Sequence, residues 1–113
     1  MAFPSSMVAM KDIQRYCDAI VAAFKPQRII LFGSHAYGKP HPDSDVDVLV
    51  VMRKSRRMGQ RPSLKIRETI KAGFPVDILV RDPDDMARRI ADRESFILDV
   101  TEKGRVMYEA SHA

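Results

Sequence analysis

The stretch that decides how this chain is read is Leu31-Phe32-Gly33-Ser34-His35-Ala36-Tyr37-Gly38-Lys39-Pro40-His41-Pro42-Asp43-Ser44-Asp45-Val46-Asp47-Val48-Leu49-Val50-Val51. Its two ends are apolar, and its middle is rich in Gly, Pro and Ser. Arg28–Phe32, bounded by Pro26 and Gly33, is a short apolar run with β-branched residues, the pattern of a buried strand. Val46 to Met52 is a second such run, so the middle is a connection between two strands.

Working outward, Ile13, Tyr16, Cys17, Ile20, Val21 and Phe24 fall on one stripe of an α-helix between Met7 and Phe24. Ser5 or Ser6 can cap that helix, and Lys25-Pro26 stops it. On this stripe Tyr16 and Cys17 read as packing residues, since an isolated thiol with no His beside it in sequence gives no sign of a nucleophile. Downstream, a short helix is expected over 62–72, with Pro62 in its first turn and Gly73 at the C-terminal position that needs positive φ. Val76 to Val80 makes a third strand. Asp82 then caps a helix that begins with Pro83 and runs to about Ala91. A further amphipathic helix, Glu94 to Lys103, carries Phe96, Ile97 and Val100 and ends at Gly104. Arg105 to Tyr108 adds a small edge strand. The expected class is α/β (α+β), a mixed three- to four-stranded sheet with helices packed on it. One domain over 1–113 is expected, with flexible ends at 1–6 and 110–113.

Composition narrows the class. At 113 residues with 45% apolar and 30% charged side chains, the chain has the mixture of one core-forming domain and not of a disordered or collagen-like segment. No apolar run approaches the ~20 residues of a membrane span, and the first residues carry no export pattern. A single cysteine excludes an internal disulfide and a thiolate zinc cluster, so a reducing cytoplasm is the expected location. The net charge of +4 is unevenly placed: Arg53 to Arg67 holds seven basic residues and no acid. Such a run can attract phosphates or an acidic partner, or can simply be a solvated loop.

The chemistry lies in the carboxylates. Asp45 and Asp47 stand two apart at the entry to an apolar strand, so their side chains share a face roughly 7 Å apart. Asp is disfavoured in strands, and like charges on one face raise each other's pKa. A bound divalent cation reverses the sign of that effect, and hard Mg²⁺ takes carboxylate oxygens. Asp77 repeats the anomaly between Val76 and Ile78. The alternative for all three is a water-facing position on an open side of the sheet. Gly33-Ser34, at the end of the first strand, permits close backbone approach and offers N–H groups and a hydroxyl to a phosphate oxygen. By itself that dipeptide is a weak signal, and it gains weight from Asp45-Val46-Asp47 ten residues on. The groups converge if the first two strands run antiparallel and the second and third parallel, with the 62–72 helix as crossover. His35, His41 and His112 fit no zinc pattern and read as solvated or turn-stabilising. Tyr37 reads as a packing residue in preference to a base-stacking platform.

Gly33-Ser34, ten residues, then Asp45-x-Asp47, with Asp77 in a third apolar strand, resembles the signature of the DNA polymerase β-like nucleotidyltransferase superfamily. The compactness, and a closing segment from Phe96 to Tyr108, are similar to its minimal nucleotidyltransferase (MNT) branch. The resemblance covers nearly the whole chain. It implies a nucleotide-binding role for Gly33, Ser34 and Ser44, and a catalytic and metal-binding role for Asp45, Asp47 and Asp77. Asp45 and Asp47 would hold two Mg²⁺ ions, with Mn²⁺ as an alternative; Asp77 would complete the catalytic metal's ligands and take the proton of the attacking hydroxyl. His35 departs from relatives that often carry arginine there, which implies a weaker or differently tuned hold on the nucleotide. Arg53, Lys54 or Lys39 can assist the triphosphate on this reading.

The elements use nearly all the residues, so the acceptor is expected to bring its own surface, as a protein does. The resemblance implies an antitoxin that transfers AMP from ATP, or another nucleoside triphosphate, to a tyrosine of a HEPN-type toxin, with the basic run helping to dock it. Two alternatives stay open: an acceptor that is a small molecule or RNA held by a separate subunit, and an antitoxin that neutralises by contact alone. Neither a membrane nor direct nucleic-acid binding is favoured.

Overall fold

The computed structural model describes residues 8–38, 40, 44–53 and 59–111. In chain order the elements are α1 (Met10–Phe24), β1 (Arg28–Phe32), α2 (Ser34–Tyr37), β2 (Val46–Val51), α3 (Pro62–Thr69), β3 (Val76–Arg81), α4 (Pro83–Ala91), α5 (Ser95–Lys103) and β4 (Arg105–Glu109). The four strands form one mixed sheet in the order β3-β2-β1-β4. β1 runs antiparallel to β2 and to β4, and β2 runs parallel to β3. α3 lies in the crossover that a parallel neighbour requires.

Side chains alternate across the strands, and each face of the sheet buries its own cluster. On one face Ile29, Leu31, Val46, Val48 and Val50 pack with Ile13, Cys17 and Ile20 of α1 and Ile66 of α3. On the other, Ile30, Phe32, Leu49 and Val51 pack with Met86 of α4 and with Ile97 and Val100 of α5. β1 and β2 are therefore covered on both sides, which is why both read as near-continuous apolar runs. Cys17 is fully buried in the first cluster, and burial pushes its thiol pKa up to about 12. It is a packing residue.

Several boundaries differ from the expected ones for physical reasons. α1 begins at Met10 behind an extended Ala9 that makes no side-chain cap; Ser5 and Ser6 lie outside the described residues. α1 ends on Lys25 in the left-handed region (φ 51°), whose N–H returns to Val21 O ahead of Pro26. α3 stops at Thr69, three residues short of 72, because Ile70 is extended. In the run that follows, Ile70, Ala72 and Phe74, every second residue, pack against the core cluster that includes α1, a spacing that a helix would spread around its surface. Gly73 does hold positive φ (78°), within that run and not at a helix end. Asp82 caps α4 as read, its Oδ1 accepting from Asp84 N at 2.8 Å. β4 is the expected edge strand, longer by one residue. The N–H of Ala110 donates to Gln27 O (2.9 Å), so the expected free tail is tied to the sheet at that point. No helix among the described residues is long and apolar enough to cross a membrane.

Candidate active site

β1 delivers the chain to one end of the sheet, and β2 and β3 both start there. Asp47 is the second residue of β2 and Asp77 the second residue of β3, and the parallel register makes them direct partners. In the antiparallel pair on its other side, Asp47 faces Phe32, the last residue of β1. By strand parity Asp47 and Asp77 leave the sheet on the face that also carries Leu49 and Leu79. Asp45 precedes β2 by one residue and is exposed, as is Asp77, whereas Asp47 is half-buried. Ser44 stands just ahead of Asp45 and is also half-buried.

Gly33 shapes this end of the sheet. It turns the chain out of β1 with φ 76° and ψ −159°, a conformation that L side chains avoid. A Cβ added there would overlap Oδ2 of Asp47 and lie 3.2 Å from its Cγ, so the Gly33 backbone packs directly against that carboxylate. The connection then winds into α2, a four-residue helix that the Gly- and Pro-rich sequence conceals. Ala36 and Tyr37 donate to Gly33 O at 3.0 and 3.2 Å, and Gly38 to Ser34 O at 3.1 Å. The N–H groups of Ser34 and His35 open this turn without a backbone acceptor among the described residues, as the first donors of a helix do.

Electrostatics ties the acids together. Burial holds the Asp47 carboxyl above the usual aspartate range, the charges of Asp77 and Asp45 push it further, and His35 opposes them. His35 is half-buried, and neither ring nitrogen finds a hydrogen-bond partner among the described residues. Its ring nitrogens are out of water, unlike those of the solvated residue its sequence context allows, and the ring lies in the field of Asp47. Among the described residues, no three acidic, His or Cys side chains are already gathered as a metal cluster. The donor set still fits a divalent cation: the groups are hard carboxylate oxygens, and they repel one another in a way that a cation relieves.

Other expected participants fall elsewhere. Arg53 follows the far end of β2, six residues beyond Asp47, which at ~3.3 Å per residue is about 20 Å from the acids. It does not reach them. Lys39, Lys54, His41 and His112 lie outside the described residues. Within the basic run, Arg67 donates from Nη1 to Val76 O at 2.7 Å and so fastens α3 to β3. Tyr37 is half-exposed, not packed, and Phe96, grouped by its helical spacing with Ile97 and Val100, is 44% exposed. Phe96 lies against Phe32, a contact between remote segments that sequence spacing could not reveal.

Comparison with known proteins bears on the same residues. The sequence profile of the family described as "Nucleotidyltransferase domain" matches residues 13–103, from α1 to the end of α5. A protein of Methanocaldococcus jannaschii named "Putative protein adenylyltransferase" is 29% identical over 100 residues, spanning 87% of this chain and 96% of that one. A crystal structure of a "putative nucleotidyltransferase" from Sulfolobus solfataricus aligns with TM-score 0.48 and 21% identity, over 69% of this chain and 70% of that one.

Proposed function

The chain belongs to the nucleotidyltransferase domain family, and on that premise we propose that it transfers AMP from ATP to a hydroxyl of a partner protein, a tyrosine of a HEPN-type toxin that it thereby silences. The observation that carries the reading is the register pairing of Asp47 with Asp77 beside the Gly33 turn. Two charged side chains side by side at the start of apolar strands cost stability and are explained by chemistry, not by packing. A protein acceptor is supported by the name of the Methanocaldococcus jannaschii relative, and a toxin acceptor only by the resemblance of the sequence motifs to the MNT branch.

Each residue has a role in this account. The Gly33-Ser34 turn receives the triphosphate, with the Ser34 and His35 N–H groups and the Ser34 hydroxyl as donors to phosphate oxygens. Ser44, next to Asp45, borders the same nucleotide. Asp45, Asp47 and Asp77 would hold Mg²⁺ or Mn²⁺, which supplies charge neutralisation for the triphosphate and lowers the pKa of the acceptor hydroxyl. Asp77, exposed beside Asp47, draws the proton from that hydroxyl. The hydroxyl oxygen then bonds to the α-phosphorus as the bond to the pyrophosphate oxygen breaks. The products are a protein–AMP phosphodiester and pyrophosphate, with the proton left on Asp77. The chain contributes chiefly placement and charge, the usual means of phosphoryl-type transfer.

Incubation with α-labelled ATP, Mg²⁺ and lysate of the source cell tests the proposal. The expected product is a labelled protein whose label is lost on phosphodiesterase treatment. Labelled RNA or a labelled small molecule would move the acceptor to one of the other classes, and no product at all would contradict transfer.

A further inference from the structure

Phe96 is the second residue of α5. The next residues of its helix behave as an amphipathic pattern predicts: Ile97 and Val100 are buried against the sheet. Phe96 is not, and 44% of its surface remains in water. Leaving a phenyl ring so exposed forgoes much of the stabilisation that its full burial supplies. The ring nevertheless has a partner that orients it. It meets Phe32 edge to face, with centroids 5.6 Å apart and an interplanar angle of 85°. Phe32 is itself 8% exposed, is the antiparallel partner of Asp47, and immediately precedes Gly33. Antiparallel partners stand about 5 Å apart, so the exposed ring lies one side chain removed from the strand position that carries the acid. Tyr37 is similarly exposed but makes no ring contact among the described residues, so nothing comparable orients it.

We propose that Phe96 is the platform on which the base of the nucleoside triphosphate stacks, with Phe32 beneath it as the support that sets its angle. The proposal rests on the nucleotidyl-transfer reading of the acids and adds the residue that receives the other end of the substrate. A flat, half-exposed aromatic set edge to face on a buried ring, beside a phosphate-binding turn, suits a nucleobase, because a base carries its own π-face and loses water on stacking. Stacking accepts every base, so Phe96 supplies affinity and placement, not a choice between adenine and guanine.

The chain contains no tryptophan, so Phe96→Trp installs a single indole at the platform, which can be excited apart from the tyrosines. With Mg²⁺ present, its fluorescence should change on addition of ATP or GTP and stay constant with inorganic tripolyphosphate, which offers the phosphates without a base. Phe96→Leu, which keeps apolar bulk and removes the flat ring, should weaken ATP binding measured by calorimetry about five- to tenfold and leave tripolyphosphate binding unchanged. A silent Phe96→Trp together with unaltered ATP binding by Phe96→Leu overturns the platform and leaves the nucleotidyl-transfer reading intact. An equal response to tripolyphosphate, or a response only after a partner protein is added, also overturns it. If the wild-type protein binds neither ATP nor tripolyphosphate, both readings fall together.

Discussion

Asp47 and Asp77 are register partners across the parallel β2–β3 pair, each the second residue of its strand, and both leave the sheet on the same face. Parallel neighbours with like-charged partners are destabilised unless something else engages the charges. That single pairing links the fold to the chemistry, because it needs α3 as a crossover, an antiparallel β1 to bring Gly33 alongside, and α4 and α5 to cover the face beyond it.

The first consequence concerns stability. Burial, then Asp77 and Asp45, hold the Asp47 carboxyl above its ordinary pKa, so the folded protein binds that proton more tightly than the unfolded chain. The associated stabilisation is complete below the unfolded aspartate value and is lost as pH rises through the raised folded value. In EDTA at pH 7, Asp47→Asn should therefore melt at a higher temperature than wild type. The difference should vanish as pH falls below the ordinary aspartate value. Thermal melts across that range check both statements, and a lower Tm for the variant at pH 7 would contradict them.

A methyl group at position 33 should damage both fold and function. Gly33→Ala forces a side chain into φ 76° and onto the Asp47 carboxylate. The backbone strain alone costs about 1–3 kcal/mol. Displacing the acid by about an ångström should lower transfer about 100-fold. Denaturant melts and initial transfer rates measure the two effects separately, and a variant with wild-type transfer would show that the close approach is incidental.

Arg53 should be dispensable for the nucleotide. Its distance of about 20 Å from the acids exceeds the Debye length of about 8 Å at physiological salt. Arg53→Ala should bind ATP within about twofold of wild type by calorimetry. A tenfold loss would mean that the basic run folds back over the site.

Cys17 should be chemically silent. It is fully buried between α1 and the sheet, with its thiol pKa pushed up to about 12 by burial and then by Asp18. Iodoacetamide should leave the native protein unmodified at pH 8 and alkylate the unfolded chain at this one position, since the thiolate is the reacting form. Mass spectrometry of the two samples decides it.

Much of the fold was legible because the signals were local. Arg28–Phe32 is β1 to the residue, and Asp82-Pro83 begins α4 through a short-range cap. The antiparallel and parallel pairings entered only as the condition under which the acids meet the Gly33 turn, and the strands do pair that way. What escaped was decided by contacts between distant segments. The four residues of α2 have too little sequence to show a period, and they are held by bonds back to the Gly33 carbonyl. Ile70 and Ala72 look like the end of a helix, yet with Phe74 they pack on the core as every second residue. Among the candidate site residues, Gly33 and the three aspartates stood out because glycine at a strand end and acids inside apolar strands break ordinary preferences. Phe96 and His35 broke none: one resembled a core residue and the other a loop residue. Only the tertiary contact with Phe32 and the enclosed ring nitrogens set them apart.

The central claim is that the acids at the start of β2 carry nucleotidyl transfer. It is tested most directly by single-turnover transfer from α-labelled ATP in the presence of Mg²⁺ to the acceptor protein, with wild type compared against Asp45→Asn and Asp47→Asn. Each variant should remain folded and bind the acceptor while its transfer rate falls at least about 100-fold, the loss expected when a group stabilising transition-state charge is removed. Transfer by either variant within a few-fold of wild type would contradict the account.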